Sequence, residues 1–300
     1  MKYIVAHTAP DMDAITSVWF LRKFLGGWDK AELKFVPAGD RLLPLPKGQS
    51  LDYAIEKQGK DEYIHVDTGM GPLDHHQTSD TNVCGASLTF DFIKKGLVDV
   101  EPSINKEKIE ALERMVKYVV SIDHFQEVFR TEPLADYHDF SIVNILDGLK
   151  LEKPNQDEFY VDFISDCLDA LLHDFENKIW AEREIKKIGI KFKTKWGKGL
   201  GIETINDSVV KLAQLMGYEI VVRRDPRKGY VRIKARPNDP GNPKGIDLTL
   251  ACEKLSKMDP QATWFLHVSK KMLLNGTPKN PKMKPTKLSL NAIIEVLKTI

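Results

Sequence analysis

The sequence predicts an α/β protein: an N-terminal domain built on a parallel sheet, followed by a smaller mixed α/β C-terminal domain. Three observations predict it. Strand-like apolar runs alternate with helical runs as far as Asp123, the pattern of a helix-covered parallel sheet. A long stretch of helical periodicity, Asp157 to Ile188, comes next. Beyond residue 190 the texture changes to alternating strands and glycine-bearing turns.

The chain has 300 residues, enough for two cores. Pro154 and Asn155 precede the long helical run. The expected division is therefore 1–150, a helical linker at 151–190, and 191–300. Hydrophobic residues make up 42% and charged residues 29%, as in an ordinary globular protein. A net charge of +1 excludes polyanion binding by bulk charge, so such binding needs a local patch. Cys84, Cys167 and Cys252 are few, odd in number and widely spaced, which argues against a disulfide framework or a zinc ribbon. No apolar run reaches the roughly 18 residues a membrane span needs, and the N-terminus lacks a leader-like apolar region. A cytoplasmic protein with no membrane partner is the expectation.

In chain order, Tyr3 to Ala6 reads as a strand, His7 to Asp13 as a tight loop, and residues 14–25 as a helix ended by Gly26-Gly27. Lys34 to Pro37 reads as a second strand, Asp40 to Gln49 as loop, and 51–58 as a short helix. Glu62 to Asp67 is a strand ending in an acid, with loop from Thr68 to Pro72 and Leu73-Asp74-His75-His76-Gln77 after it. Helices are expected at Ala86 to Lys95 and Ile104 to Ile122, and a loop or short helix at Phe140 to Leu149. The run from Asp157 to Ile188 fits one bent helix or two shorter ones.

In the second part, Ile190 to Thr194 alternates as a strand does, and Ser208 to Met216 reads as a helix. Gly217 to Arg223 and Gly229 to Ala235 read as strands joined through Asp225-Pro226-Arg227. A helix at Asp247 to Lys257, a strand at Thr263 to Val268 and a last helix at Leu290 to Leu297 complete the reading.

The chemistry-bearing residues fall at strand and helix ends. His7, Asp11 and Asp13 follow the first strand, Asp67 ends a middle one, Asp74, His75 and His76 lie just beyond, and Asp123 follows a helix. Open α/β sheets place ligands outside the carboxyl ends of their strands, so these groups are expected to converge there. Carboxylate oxygen with imidazole nitrogen suits divalent Mn²⁺, Mg²⁺, Co²⁺ or Zn²⁺. The bland alternative for His7 to Asp13 is a polar loop capping a helix. His65 reads as packed within a strand, His138 and His173 as solvated or structural, and His124 as at most a supporting group.

Late in the chain, positive charge gathers. His267, Ser269, Lys270 and Lys271 end a predicted strand and suit a phosphate. Four lysines lie between 279 and 287 with no acid among them, and Arg223, Arg224, Arg227, Lys228, Arg232, Lys234 and Arg236 add to the basic wall. Trp196, Tyr218, Tyr230 and Trp264 suit either base stacking or the core.

The series His7-x3-Asp11-x-Asp13, the strand-end Asp67, Asp74-His75-His76 and Asp123 resembles the motifs of the DHH phosphoesterase superfamily. That superfamily includes family II pyrophosphatases, RecJ- and oligoribonuclease-type phosphodiesterases and MYG1-type exonucleases. The resemblance covers about residues 3 to 125. It implies a catalytic first domain, a substrate-binding second one, and an active site in the cleft between them. It implies that His7, Asp11 and Asp67 hold one metal, and Asp13, Asp67, His75 and Asp123 the other, with Asp67 bridging. His76 would face the substrate phosphate and Asp74 would orient its neighbours. His267, Ser269, Lys270 and Lys271 would bind substrate. Two Mn²⁺ ions are implied, with Mg²⁺ or Co²⁺ as alternatives, and a hydroxide bridging them would attack phosphorus.

The glycine-rich histidine signature of oligonucleotide-cleaving relatives is absent, and Ser269-Lys270-Lys271 is only a fragment of the pyrophosphatase pattern. The expected partner is a phosphorylated small molecule or a short single-stranded oligonucleotide, and a homodimer is compatible. Three readings stay open: a phosphodiesterase, an inorganic pyrophosphatase, and a non-catalytic nucleotide-binding regulatory module.

Overall fold

The computed structural model describes residues 1–44, 53–100, 106–238 and 245–300, with the side chains of 95–100 left aside. The chain forms two compact units, Met1–Glu176 and Asn177–Ile300.

The first unit is organised on a four-stranded sheet. β1 (Lys2–His7) lies between β2 (Glu32–Val36) and β4 (Asp61–His65), parallel to both. Register pairs His7 with Val36 and Val5 with His65. Ile4, Val5 and Ala6 are all fully buried, as expected of a central parallel strand covered on both faces. β3 (Glu56–Gln58) runs antiparallel beside β4, so the sheet is mixed at one edge. The expected helix at 51–58 is corrected there. Glu56 to Gln58 form a strand because backbone pairing to Asp61–Tyr63 across Gly59-Lys60 closes a hairpin. Residues 51 and 52, and the 45–49 part of the expected loop, lie outside the described residues.

α1 (Met12–Phe24) begins at Asp11, whose side chain accepts the amides of Asp13 and Ala14. Every residue from Met12 to Leu21 is buried, so the helix is a central element rather than an amphipathic cover. It packs against α2 (Gly85–Val100) and α3 (Lys106–Asp123). Trp19 Nε1 donates to Asp169 at 2.7 Å on α5 (Asp157–Ile188). The expected 104–122 helix is found from Lys106, with 104–105 outside the described residues. The Phe140–Leu149 stretch resolves as α4 (Ile142–Glu152), capped by Ser141. α5 is one continuous 32-residue helix, and it carries the chain from the first unit into the second.

The second unit holds a six-stranded sheet in the order β5-β6-β7-β8-β10-β9. Its strands are β5 (Ile190–Thr194), β6 (Gly197–Glu203), β7 (Ile220–Arg224), β8 (Val231–Ala235), β9 (Trp264–Leu266) and β10 (Met272–Asn275). Among the described strands of this sheet, only β6 and β7 pair in parallel. β7 is buried on both faces. Ile220 and Val222 join the core under α7 (Thr249–Met258) and α8 (Leu290–Lys298), while Val221 joins the cluster under α6 (Ser208–Leu215). Each fully buried aliphatic side chain there is worth about 1.5–3 kcal/mol of transfer free energy.

The glycines at 199 and 201 sit inside β6 because a Cβ would collide with the Phe192 ring at 2.3 Å and with Ile294 at 2.5 Å. The expected strand at Thr263–Val268 is shorter than predicted. It turns at His267–Lys271 and returns as β10, which the sequence reading lacked. Lys270 makes that turn in the left-handed region, at φ +56°.

Candidate metal centre

His7 is the last residue of β1, and the Thr8-Ala9-Pro10 turn leads to the α1 N-cap at Asp11. Asp13 lies in the first helical turn and is 1% exposed. Across the sheet, Asp67 follows β4 with a left-handed backbone, φ +50°. That conformation costs a non-glycine residue about 1 kcal/mol, and aspartate tolerates it better than most. The surrounding loops hold it. Asp67 N donates to Leu73 O, Thr68 Oγ1 donates to Asp40 O, and Arg41 Nη1 donates to Gly69 O.

The side chains converge on Asp67. His7 Nε2 lies 3.4 Å from Asp67 Oδ2 and 3.9 Å from Asp11 Oδ1. On the other oxygen, His75 Nε2 lies 3.5 Å from Asp67 Oδ1, 3.5 Å from Asp123 Oδ2 and 3.8 Å from Asp13 Oδ2. One carboxylate thus separates two groups of donors. Among the described residues, His7, Asp11 and Asp67 form a compact ligand set, and His75 belongs to two further sets, with Asp67 and His76 and with Asp123 and His124.

The residues fit a divalent cation. Asp67 Oδ1, His75 Nε2 and Asp123 Oδ2 are buried and have no hydrogen-bond partner. Burying such groups unpaired is expensive. Two donors on one ion at bond lengths of about 2.1 Å stand about 3.0–3.5 Å apart, which the separations of His7 and His75 from Asp67 and of His75 from Asp123 match, while those to Asp11 and Asp13 are longer.

Asp13 differs from the other acids. Its Oδ2 accepts the Gly85 amide and its Oδ1 the Ala86 amide, both at 2.6 Å, at the start of α2. The helix terminus holds the carboxylate in place and stabilises its charge.

Charge is concentrated at this rim. Burial works against a charged His7, yet Asp11 and Asp67 raise it to about 10. Asp67 raises His75 to about 9, against the effect of burial and with help from Asp123 and Asp13. Burial, reinforced by Asp67, pushes Asp13 well above the usual carboxylate range. Burial raises Asp123 as well, with His75 opposing. Protons therefore sit readily on Asp13 and Asp123, and a cation bound there would displace them.

Asp74 and His76 form a dyad beside Asp67, with His76 Nδ1 3.8 Å from Asp67 Oδ1. Asp74 is 2% exposed and accepts Met70 N on Oδ2 and both His76 N and His76 Nδ1 on Oδ1. Burial opposes its ionisation, but the His76 and Met70 donors hold it below its ordinary value. Asp74 engages Nδ1, and the His76 side chain as a whole is exposed. His65 is buried and bound through Nδ1 to Glu56, while its Nε2 accepts Leu42 N, so it belongs to the packing of the sheet edge. His124 Nε2 is engaged by Val83 O at 2.8 Å and lies 3.6 Å from Asp123, where it supports that acid. His173 is exposed, and the half-buried His138 is engaged through Nε2 by Thr131 O at 3.2 Å.

A cavity of about 160 Å³ adjoins the acids. Asp11, Asp13, Asp123 and Asp147 line it together with an apolar wall of Val119, Ile122, Val143 and Leu146. Among the described residues, no cation lines it. Sequence reasoning missed Asp147, whose only signal was a place one turn after Val143 on α4.

In the second unit, His267, Ser269, Lys270 and Lys271 share the β9–β10 turn. His267 Nδ1 pairs with Ser269 Oγ at 2.8 Å. Lys270 pairs with Asp247 at 3.1 Å, and Lys271 Nζ donates to Ile246 O. Both lysines therefore have local partners. Of the aromatics considered for stacking, Tyr218 is buried in the cluster under α6, and Trp196 and Trp264 pack against the core under α7 and α8.

No family model matches the sequence. No curated protein matches it either. Solved structures do show similarity. A DHH-domain protein described as belonging to a family of ribosomal proteins is 8% identical, with 99% of this chain and 86% of that chain covered, at a TM-score of 0.32. A pGpG-specific phosphodiesterase of Vibrio cholerae is 9% identical, with 99% of both covered, at a TM-score of 0.26. A Methanococcus jannaschii protein described as a putative family II inorganic pyrophosphatase is 15% identical, with 99% of both covered, at a TM-score of 0.19. These neighbours are DHH-superfamily proteins. At such TM-scores the likeness lends no weight to the chemistry, which rests on the side-chain geometry.

Proposed function

We propose that the chain is a divalent-metal-dependent phosphohydrolase acting on phosphodiesters of short oligonucleotides or nucleotide-like molecules. One observation carries the reading. The two oxygens of Asp67 each face a separate group of nitrogen and carboxylate donors, and on the His75 side Asp67 Oδ1, His75 Nε2 and Asp123 Oδ2 are buried without hydrogen bonds.

On this reading His7, Asp11 and Asp67 hold one cation, and Asp13, Asp67, His75 and Asp123 the other. Such a pair, most simply Mn²⁺ with Mg²⁺ or Co²⁺ as substitutes, supplies water activation near neutral pH and neutralises phosphoryl oxygens. The chain's own residues do the rest. Asp74 fixes the His76 ring through Nδ1, leaving Nε2 to donate to a phosphoryl or leaving-group oxygen when protonated. The Gly85 and Ala86 amides hold Asp13 in place and oppose, without outweighing, the effect of burial on its charge. The apolar wall beside the acids excludes water and receives an organic substituent. That wall, and the lack of a lining cation among the described residues, favour an ester with an organic part over inorganic pyrophosphate, whose charge calls for several converging cations. His267 and Ser269 of the second unit are proposed to contact substrate, Lys270 and Lys271 doing so after exchanging their present partners.

The test is a Mn²⁺ titration of the purified chain with a dinucleotide, a generic aryl phosphodiester and pyrophosphate. Metal-dependent cleavage of the dinucleotide, abolished by Asp67→Asn, is expected. A Mn²⁺-loaded sample that binds nucleotide and cleaves nothing would establish a binding module instead.

A further inference from the structure

We infer that the second unit carries a phosphate-binding site of its own, in a cavity at the end of its sheet opposite the His267 turn. The strand register separates the two ends. Arg224 pairs with Val231 and Val231 with Asn275 at the cavity end, whereas Lys234 pairs with Met272 beside the His267 turn. The inference stands whether or not the metal-centre reading holds.

The cavity has a volume of about 190 Å³. Arg223, Arg227, Lys228 and Arg232 line it, against two acids, Asp207 and Asp225. Four cations facing two carboxylates leave an excess of two positive charges.

Each acid is shared rather than spent on one partner. Asp207 takes Arg223 at 2.9 Å on one oxygen and Arg232 at 3.1 Å on the other. Asp225 lies 3.5 Å from both Arg223 and Arg227. The acids thus act as spacers that aim guanidinium groups at a common space. Asp225 also accepts the backbone amides of Arg227 and Lys228, which shapes the β7–β8 turn and sets both cations at the rim. Lys228 lies over the Tyr230 ring, 5.8 Å from its centroid, and no acid among the described residues pairs with it. Tyr230 in turn is braced by Gly276, where a Cβ would stand 2.3 Å from the ring.

The floor is built, not incidental. Arg223 is 8% exposed and Asp225 5%. Arg223 donates to Ile205 O at 3.0 Å through Nη2, but its buried Nε has no acceptor. A phosphate dianion answers the surplus: it balances two charges and presents oxygens to the guanidinium and ammonium donors that line the cavity. The ligand class is therefore a phosphate monoester or free phosphate.

The test is calorimetric titration of the full chain with inorganic phosphate in the presence of a chelator, so that phosphate held at the metal centre does not contribute. Adenosine 5′-monophosphate in a second titration distinguishes a monoester from free phosphate as the preferred source. The variants are Arg232→Ala and the double change Arg227→Ala with Lys228→Ala, all at partly exposed positions, so folding is retained and confirmed by a thermal melt. About one phosphate per chain is expected, weakened about tenfold by loss of each cation that contacts it. No uptake by the wild-type chain at millimolar phosphate, or equal affinity in folded variants, would overturn the inference.

Discussion

Gly85→Ala is the most searching perturbation of the metal centre, because it alters no candidate ligand. A Cβ at this position would stand 2.9 Å from Asp13 Oδ2, 3.0 Å from Asp67 Cβ and 3.3 Å from Asp67 Cα. Ordinary carbon–heavy-atom contacts fall at about 3.5–4.0 Å, so the shortfall is about half an ångström or more. Two of the three clashing atoms belong to the residue whose carboxylate separates the donor groups, and the third to the acid held by the α2 amides. Overpacking of this kind costs about 1–3 kcal/mol. If the carboxylates yield, the cost appears as about 5- to 150-fold weaker metal binding, since 1.4 kcal/mol is a factor of ten. Electron paramagnetic resonance counts free Mn²⁺ directly during a titration, and a melt in chelator reports the fold separately. Unchanged Mn²⁺ affinity in a folded Gly85→Ala chain would show that these carboxylates do not set the metal geometry.

Other outcomes follow from the same rim. Asp67→Asn keeps shape and removes charge, so Mn²⁺ stoichiometry is expected to fall from two to one or none, with loss of turnover; wild-type uptake by metal analysis would refute the bridging role. His76→Ala is expected to lower kcat by about 10²–10⁴-fold while metal content is unchanged. Asp74→Asn should cost less, about 10–100-fold, because it loosens the ring without removing it; equal metal content and a steady-state comparison check both. Glu56 is held below its ordinary value: burial opposes this, but His65 and Arg41 outweigh it. A depressed carboxylate contributes stability above the unfolded value of about 4.3, and that stability is lost as pH falls through the folded value. Glu56→Gln should therefore flatten the acid limb of a denaturation profile, and an unaltered limb would refute the assignment.

Much of the rim was legible because it obeys a rule of topology. His7 ends and Asp67 follows parallel strands that are neighbours in the sheet, and Asp11 and Asp13 open the helix after the first, so their meeting required only β1 beside β4. The amides that hold Asp13 were not legible, since backbone groups leave no mark on the residue string. Nor was the left-handed turn at Asp67, which rests on Arg41 and Thr68 from distant or unremarkable positions. β3 and β10 escaped notice because three- or four-residue strands carry too few alternations to show a period. Lys270 and Lys271 looked available by composition, yet Asp247 and the Ile246 carbonyl engage them.

The positive φ at Asp67 has a consequence for anyone scanning that position by saturation mutagenesis. Two independent filters act on one codon. A screen for folded protein should enrich glycine and asparagine, which relieve or tolerate the turn, and deplete valine and isoleucine, whose branching forbids it. A screen for turnover should discard glycine and asparagine along with all the others. Only the difference between the two selections, read at residue 67, separates what the backbone demands from what the chemistry demands.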